Sequence, residues 1–148
     1  MPKILILNGP NLNLLGIREP DIYGTDTLQD IENICAQTAQ QHHLDIDFRQ
    51  SNHEGLLVDW IQETMNEAHM VEGIIINAAA YTHTSVAIHD ALKMVNCPII
   101  EVHLSDPATR EEFRHFSYIS PIAQKIIKGK GVAGYSEAIK TLSDIINT

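Results

Sequence analysis

Five short apolar runs, separated by longer segments of helical period, constrain the fold of this chain more than any other feature. The segments cover residues 3–7, 44–49, 73–77, 98–103 and 124–128, of which 44–49 alternates between apolar and polar residues and 124–128 is the weakest. Alternating strand and helix signals, with strands that are largely apolar throughout, indicate a parallel sheet covered by helices on both faces. We therefore expect a flavodoxin-like α/β fold whose five strands have the order 2-1-3-4-5.

Four segments with helical periodicity accompany these runs. We expect helices over residues 27–43, 55–68, 85–95 and 135–147. The first is predicted to be capped near residues 25–27. The inward face of the second is predicted to carry Leu57, Trp60, Ile61 and Met65. With 148 residues, 44% of them hydrophobic and 20% charged, the chain has the size and composition of one globular domain, residues 1–148.

The charge balance limits the classes of partner. A formal net charge of -9 opposes general nucleic-acid binding, because such binding depends on neutralising phosphates with lysine and arginine. An anionic ligand must then be met locally, by some of the four arginines Arg18, Arg49, Arg110 and Arg114. No apolar stretch is long enough to span a bilayer, and the first residues lack a signal-peptide pattern, so we expect a cytoplasmic protein with no membrane partner. Cys35 and Cys97 are expected to be buried thiols rather than a disulfide pair.

Polar residues follow each of the first four predicted strands. These clusters are NGPNLN from Asn8, SNHE from Ser51, NAAAYTH from Asn77 and EVH from Glu101. The carboxyl ends of parallel strands meet at one edge of the sheet, where ligands bind in such folds. Turn formation and helix capping are the alternative explanation, especially for Asn8 and Asn13. Together the four clusters predict a small-molecule site.

Other kinds of site have weaker support. The glycine motifs that bind phosphates are missing, and aromatic residues are only 5% of the chain, so a flavin has no obvious stacking partner and remains a minor alternative. We predict no metal, because the HExxH spacing is absent. Three pairs contain residue types that bind metals but lack this spacing: His53 with Glu54, His83 with His89, and Glu101 with His103.

The segment between Gly16 and Gly24 suggests a mobile lid with flexible ends, although an ordinary exposed loop is the alternative. It contains Arg18 and Tyr23. A guanidinium close to a phenol favours the phenolate, which is a base strong enough to remove a proton beside a ketone. The resulting enolate needs a hydrogen-bond donor, and the Asn11 amide is a candidate, directly or through a water.

An acid is also needed if a hydroxyl group is to leave. His103 is suitably placed after the fourth strand, and Glu101, two residues earlier on the same face, can orient its imidazole. A buried structural hydrogen-bond pair is the alternative for these two residues. Arg110 and Arg114, four residues apart, are expected to share one helical face, where Glu111 or Glu112 forms a salt bridge with one of them. Such arginines suit an anionic substrate.

The segments "NGPNLNLLGIREPDIYG", "QSNHEG", "NAAAYTHTS", "EVHLSDPATREEFRHFSYIS" and "GKGVAGY" together resemble the type II 3-dehydroquinate dehydratases of the shikimate and quinate pathways. The resemblance implies the flavodoxin-like fold, usually assembled as a dodecamer of four trimers. It also implies a cofactor-free anti elimination of water from 3-dehydroquinate, giving 3-dehydroshikimate. The unrelated type I dehydratases form a lysine Schiff base on a (β/α)₈ barrel. This chain is too short for that barrel.

The resemblance also assigns roles to residues. Tyr23 corresponds to the proton acceptor at C2, Arg18 to the group that supports its ionisation, and Asn11 to the amide that stabilises the enolate. His103 corresponds to the proton donor for the leaving hydroxyl, with Glu101 behind it. The implied substrate-binding residues are Asn77, His83, Arg114, Arg110, the backbone of Leu104 and Ser105, and Asp90, which reaches a neighbouring subunit's site.

Two departures from the family pattern accompany the match. Asp106 stands where the family usually has asparagine, and its negative charge is expected to weaken carboxylate binding. Lys130 replaces a more usual apolar residue. A second hypothesis, from another functional class, is a flavodoxin-like module that binds a small anion or nucleotide without turnover. Such a module has no need of Tyr23 and His103 as a base and an acid.

Overall fold

The computed structural model describes residues 1–17 and 19–148, without the side chains of residues 20 and 23. All of its described strands run parallel in one sheet with the order β2-β1-β3-β4-β5, which confirms the predicted flavodoxin-like order. The strands are β1 (Lys3–Asn8), β2 (Asp45–Gln50), β3 (Gly73–Asn77), β4 (Ile99–Val102) and β5 (Lys125–Ile127).

Two layers of helices cover the sheet, and short 3₁₀ turns lie mainly in the loops. The α-helices are α1 (Pro20–Tyr23), α2 (Leu28–Gln41), α3 (Glu54–Glu63), α4 (Val86–Met94) and α5 (Ala133–Ile146). The 3₁₀ turns are Leu12–Leu14, Glu67–His69, Ala79–His83, Pro107–Thr109, Glu112–Arg114 and Ser120–Ile122. Within the described ranges, no helix combines the length and apolar character needed to cross a membrane.

The central strands are buried on both faces, as their apolar sequences predict. Along β1, Ile4 and Ile6 pack with residues of α2 and α5 on one side, whereas Leu5 and Leu7 pack with α3 and α4 on the other. Successive side chains of a strand point to opposite faces, so one apolar run serves two cores. The central strands β1, β3 and β4 therefore have largely apolar interiors, and Asn8, Asn77 and His103 lie at or just beyond their carboxyl ends.

Local signals define the ends of two helices. Thr27 accepts a hydrogen bond from the backbone of Asp30, whose side chain in turn accepts from the backbone of Thr27, which confirms the predicted cap of α2. Helix α3 ends at Glu63, earlier than predicted, so Met65 lies beyond the helix and is 48% exposed. Its predicted inward position was wrong. Cys97 is half-buried rather than buried, and both cysteines are free thiols.

Candidate active site

A cleft lies at the carboxyl edge of the sheet, between the loops that follow β1, β3 and β4. Three of the four predicted polar clusters contribute to its wall. The loop after β2 does not line it, but instead supports the loop after β1. The predicted site residues that line the cleft are Asn11, Asn77, His83, His103, Leu104, Ser105, Arg110 and Arg114.

Glu101 and His103 form a buried pair between the sheet and this cleft. Glu101 lies in β4, and His103 is the first residue after this strand, two positions beyond Glu101, so the two side chains share a face. The distance between His103 Nε2 and Glu101 Oε2 is 2.5 Å, and both residues are less than 10% exposed, at 7% and 1%. Because a carboxylate only accepts hydrogen bonds, Nε2 is the donor, which leaves Nδ1 of the same ring for the cleft.

Two serine hydroxyls bind the same carboxylate. Ser120 Oγ lies 2.6 Å from Oε1 of Glu101, and Ser117 Oγ lies 2.9 Å from Oε2. Burial by itself raises the pKa of the Glu101 carboxyl, but the hydrogen bonds from His103, Ser120 and Ser117 outweigh this effect, and the pKa lies below its usual value. Glu101 is therefore a carboxylate that is buried yet fully hydrogen-bonded.

A second buried network joins the ends of β1 and β3. The Tyr135 hydroxyl donates to Asn8 Oδ1 at 2.7 Å and accepts from Asn77 Nδ2 at 3.0 Å. Asn77 Oδ1 also accepts from the backbone of Ala79 at 3.1 Å, and Asn8 Nδ2 donates to the carbonyl of Arg49 at 3.0 Å. Burial raises the pKa of Tyr135, so its hydroxyl stays neutral. Asn77 is thus held in a defined orientation at the cleft.

The loop after β1 brings Asn11 to the cleft in a left-handed conformation, with φ of 69°. Its backbone N–H donates to Asn52 Oδ1 at 2.9 Å, and Asn52 is itself held by Tyr81, whose hydroxyl donates to the Asn52 carbonyl at 2.7 Å. The Asn11 side chain makes no capping hydrogen bond to the turn that follows. Asn11 lines the cleft, and its amide is not used for helix capping.

His83 faces the cleft as a neutral imidazole. Burial is the largest influence and lowers its pKa, aided by the nearby His103 and Arg114. Its Nδ1 lies 2.7 Å from the carbonyl oxygen of Phe116, so Nδ1 carries the proton and Nε2 is an acceptor. His89 bonds the carbonyl of Tyr118 in the same way, at 2.6 Å. Over residues 1–17 and 19–148, no three histidine, cysteine or acidic residues are arranged to hold a metal ion.

Two arginines give the cleft its positive charge. Arg110 Nη1 lies 3.3 Å from Ser105 Oγ, and Arg114 Nε lies 2.6 Å from Glu111 Oε2. The predicted shared helical face is wrong, because Arg110 is extended and only Glu112–Arg114 forms a 3₁₀ turn. The predicted salt bridge with Glu111 is confirmed, although Glu111 is 52% exposed and such a pair is weak.

Leu104 and Ser105 follow β4 and line the cleft. Their carbonyl oxygens accept from Gly131 and Gly129, at 3.0 and 3.2 Å. In the part of the chain that the structure describes, their N–H groups have no protein acceptor. Gly129 has φ of +75°, a left-handed conformation that favours glycine, and a Cβ added there would be in ordinary contact with the Cβ of Asp106 at 3.4 Å. This turn keeps β5 and its loop against the cleft.

The two departures from the family pattern have partners of their own. Asp106 Oδ1 accepts from the backbone of Ala108 at 3.0 Å and lies 3.7 Å from Lys128 Nζ, so its charge is partly compensated. Lys130 lies on the surface, with Nζ 2.6 Å from Glu137 Oε2. Neither residue interrupts the wall of the cleft.

Comparisons with known proteins show the family of this chain. The family model described as "Dehydroquinase class II" matches residues 2–143. The chain belongs to the class II dehydroquinase family. It is 57% identical to a 3-dehydroquinate dehydratase of Variovorax paradoxus over 145 residues, covering 96% of this chain and 99% of that protein. It is 59% identical to a catabolic 3-dehydroquinase of Talaromyces marneffei over 140 residues, covering 95% and 78%. The crystal structure of a type II dehydroquinase from Propionibacterium acnes has a TM-score of 0.91 and 40% identity, covering 97% of each chain.

Some predicted residues of this class II dehydroquinase lie away from the cleft or outside the described structure. Arg18 lies outside the described residues, as does the side chain of Tyr23, whose backbone ends α1. Asp90 lies exposed on α4 and does not line the cleft of its own subunit. Gly16 and Gly24, at the ends of the predicted lid, both have positive φ, at 93° and 81°.

Sequence reasoning missed several residues that support this class II dehydroquinase site. No pattern singled out Ser117 and Ser120, although the quoted segment "FRHFSYIS" contains both. Tyr135 was placed at the start of the last helix without a role, and Asn8 was considered a turn residue. Periodicity detects none of these contacts, since the partners lie 16 to 127 positions apart in the chain.

Proposed function

We propose that this protein is a 3-dehydroquinate dehydratase, which eliminates water from 3-dehydroquinate to give 3-dehydroshikimate through an enolate. One observation carries this proposal beyond family membership. His103 donates a hydrogen bond from Nε2 to the buried Glu101 carboxylate, which leaves Nδ1 for the cleft. The cleft is also lined by the amides of Asn11 and Asn77, by Arg110 and Arg114, and by the backbone of Leu104 and Ser105. This arrangement suits the delivery of a proton to a leaving hydroxyl while an anionic substrate is held in place.

The acid half of the reaction is assigned to His103. Protonated on both nitrogens, the ring donates Nδ1–H to the departing hydroxyl and keeps Nε2–H on Glu101. The C–O bond breaks as the enolate collapses, and the hydroxyl leaves as water. Glu101 stays ionised throughout, so it orients the ring and compensates its charge without exchanging a proton.

The base half is assigned to Tyr23 as its phenolate, with Arg18 supporting the ionisation. We infer both roles from the chemistry of these two residues and from the resemblance to the family. Abstraction of the C2 proton places negative charge on the neighbouring carbonyl oxygen, which the Asn11 amide stabilises by donating a hydrogen bond, directly or through a water. The hydrogen bond from the Asn11 backbone N–H to Asn52 supports this role, because it holds the loop that carries the amide.

Substrate recognition is assigned to the remaining cleft residues. The N–H groups of Leu104 and Ser105 bind the substrate carboxylate, with Arg110 close to the base. Asn77 and His83 bind hydroxyl groups, and the acceptor Nε2 of His83 complements a hydroxyl donor. Arg114 exchanges its exposed partner Glu111 for the substrate, a replacement that costs little because that ion pair is solvent-accessible.

An assembly of subunits is part of this proposal. We assign to Asp90 a role in the site of a neighbouring subunit, within a dodecamer of four trimers. Its exposed position on α4 supports a contact outside its own subunit. We keep the cytoplasmic location as a prediction as well. Light scattering on the purified protein tests the assembly, and cell fractionation tests the location.

The first experiment adds 3-dehydroquinate to protein treated with a chelator and follows the ultraviolet absorbance of the conjugated enone product. We expect turnover that borohydride pretreatment leaves intact, because no imine forms. Tyr23→Phe and His103→Asn are expected to lower kcat by at least about a hundredfold while ligand affinity is retained. His69→Asn, an exposed substitution outside the cleft, serves as the matched control. Absence of turnover by folded wild-type protein would favour the binding-only module instead.

A further inference from the structure

We propose that Ser120, assisted by Ser117, is a positioning residue that keeps Glu101 as a carboxylate and thereby keeps the shared proton on His103. This inference rests on the proposed function, which needs His103 as the proton donor. It concerns two residues that no motif reasoning identified. The number and direction of the hydrogen bonds at this buried carboxylate favour its ionised form.

The Ser117 hydroxyl has only one way to bond Glu101. Its oxygen accepts from the backbone N–H groups of Ile119 and Ser120, both at 3.0 Å, which occupies its two lone pairs. The remaining O–H therefore points to Glu101 Oε2, 2.9 Å away. Glu101 Oε2 thus accepts hydrogen bonds from both Ser117 Oγ and His103 Nε2, so it has no room for a proton of its own.

Ser120 supplies the donor to the other oxygen. Its Oγ lies 2.6 Å from Oε1, a short distance typical of a hydroxyl bound to a charged carboxylate. Among the described residues, Glu101 is the one side-chain partner of this hydroxyl. Removing it leaves Oε1 buried without a donor, so the carboxyl group then gains from taking a proton, and His103 is the nearest source.

Contacts with the neighbouring elements hold both serines in place. The segment that contains them is tied to the loop after β3 by Tyr118, whose N–H donates to the Thr82 carbonyl at 2.9 Å. His83 and His89 bind the carbonyls of Phe116 and Tyr118, at 2.7 and 2.6 Å. The backbone is therefore hydrogen-bonded at Phe116 and at Tyr118, on both sides of Ser117. This favours a fixed geometry of the serine hydroxyls at Glu101 over an incidental contact.

The groups around the pair favour the same charge state. A small cavity behind Glu101 and His103 is lined by four further titratable side chains, none of them acidic: His83, Arg114, His115 and Lys128. No acidic side chain other than Glu101 lines that cavity within the described residues. Since two of these groups are imidazoles, which can themselves exchange protons, the test must follow Glu101 itself and not only the pH dependence of activity.

Two readouts test the inference, on the whole protein in its native assembly. Infrared difference spectra follow the carboxylic acid C=O stretch, assigned to Glu101 by its loss in Glu101→Gln. In Ser120→Ala, we expect this band to appear at a pH about one to two units higher than in wild type. A shift of this size corresponds to the free energy of one hydrogen bond to a charged group. Ser120→Thr, which keeps the hydroxyl, is expected to restore the wild-type titration.

Kinetics provide the second readout. We expect Ser120→Ala to lower kcat about tenfold with KM changed less than about twofold, because the proton donor is affected and substrate contacts are not. Ser120→Thr is expected to recover most of kcat. Ser136→Ala removes a serine hydroxyl that bonds Thr38 at the α2–α5 contact, and it is expected to change neither readout. Ser117→Ala repeats the test from the other carboxylate oxygen.

The outcomes separate the inference from the proposed function. If wild-type protein turns over 3-dehydroquinate but neither the infrared titration nor kcat changes in Ser120→Ala and Ser117→Ala, the positioning role is wrong and the dehydratase stands. A uniform loss of kcat that Ser120→Thr does not rescue, with an unchanged titration, also overturns it. If the titration moves as expected but wild-type protein has no activity, the effect of the serines on Glu101 stands and the proposed reaction fails.

Discussion

Asn8 and Asn77 end adjacent strands in register, and the hydroxyl of Tyr135 joins their side chains. All three residues are almost completely buried, with Tyr135 at 0% exposure. A helix near the end of the chain thereby fixes the orientation of an amide that lines the cleft. Because the three side chains are buried, no water can replace a lost partner in this network.

Tyr135→Phe is expected to destabilise the protein by about 1–3 kcal/mol, because it leaves the two asparagine side chains without their buried partner. Denaturant unfolding followed by circular dichroism measures this change, at equal protein concentration since assembly affects apparent stability. Tyr118→Phe, at a half-buried tyrosine outside this network, is the matched control. An equal change in both variants would contradict the importance of the network.

Gly9→Ala is expected to destabilise the protein by about 1–3 kcal/mol and to lower activity. An added Cβ at Gly9 would lie 2.3 Å from the carbonyl oxygen of Ala78, so the loops after β1 and β3 must move apart. These loops carry Asn11 and His83. Gly55→Ala is the control, because a Cβ there meets nothing within 4 Å in α3 and is expected to stabilise by about 0.5–1 kcal/mol. Wild-type stability of Gly9→Ala would show that the close approach is not required.

The contribution of Glu101 to stability is expected to decline in acid. Burial raises its pKa but its hydrogen bonds lower it further, so the folded pKa lies below the unfolded one. The stabilisation is therefore fully present above the usual glutamate pKa and is lost as pH falls through the folded value. Unfolding free energies of wild type and Glu101→Gln, measured from neutral pH into acid, are expected to converge. Parallel curves would contradict the direction of this shift.

Lys128→Gln is expected to raise KM for the anionic substrate by up to about fivefold, because an exposed ion pair contributes at most about 1 kcal/mol. The substitution leaves the charge of Asp106 uncompensated beside the proposed carboxylate site at Leu104 and Ser105. In an Asp106→Asn background, the same change is expected to have no effect, because asparagine keeps the cap on Ala108 without the charge. A double-mutant cycle on KM measures this coupling. Lys130→Gln, which affects only the surface pair with Glu137, is the control.

Mixed assemblies test the proposed role of Asp90. Asp90→Ala and His103→Asn are each expected to be nearly inactive as pure proteins. Refolded together, they are expected to regain measurable activity, since some sites then combine an intact His103 with an intact Asp90 from a neighbour. The specific activity of the mixture is compared with that of each variant refolded alone. Full activity of pure Asp90→Ala, or no recovery on mixing, would contradict a shared site.

Much of the fold follows from local sequence. Apolar runs bounded by turn residues identify the strands, and the two-residue period of a strand puts Glu101 and His103 on one face. The same reasoning failed where local bonds replaced a regular helix. The spacing of Arg110 and Arg114 predicts a helical face, but Asp106 caps a short 3₁₀ turn and His115 binds the Arg110 carbonyl at 2.9 Å, so the backbone at Arg110 is extended.

The sequence by itself determined the strands and the edge that carries the polar clusters, and it favoured the strand order that the structure has. It also identified His103 as the candidate acid. Only the tertiary structure decided which polar groups support it. Ser120 reaches Glu101 from 19 positions away, and Tyr135 reaches Asn8 from 127. Such contacts leave no periodic signal, because they depend on how the sheet, both helix layers and the loops pack together. Local patterns specify elements, whereas the partners of a buried polar group are specified by the whole fold.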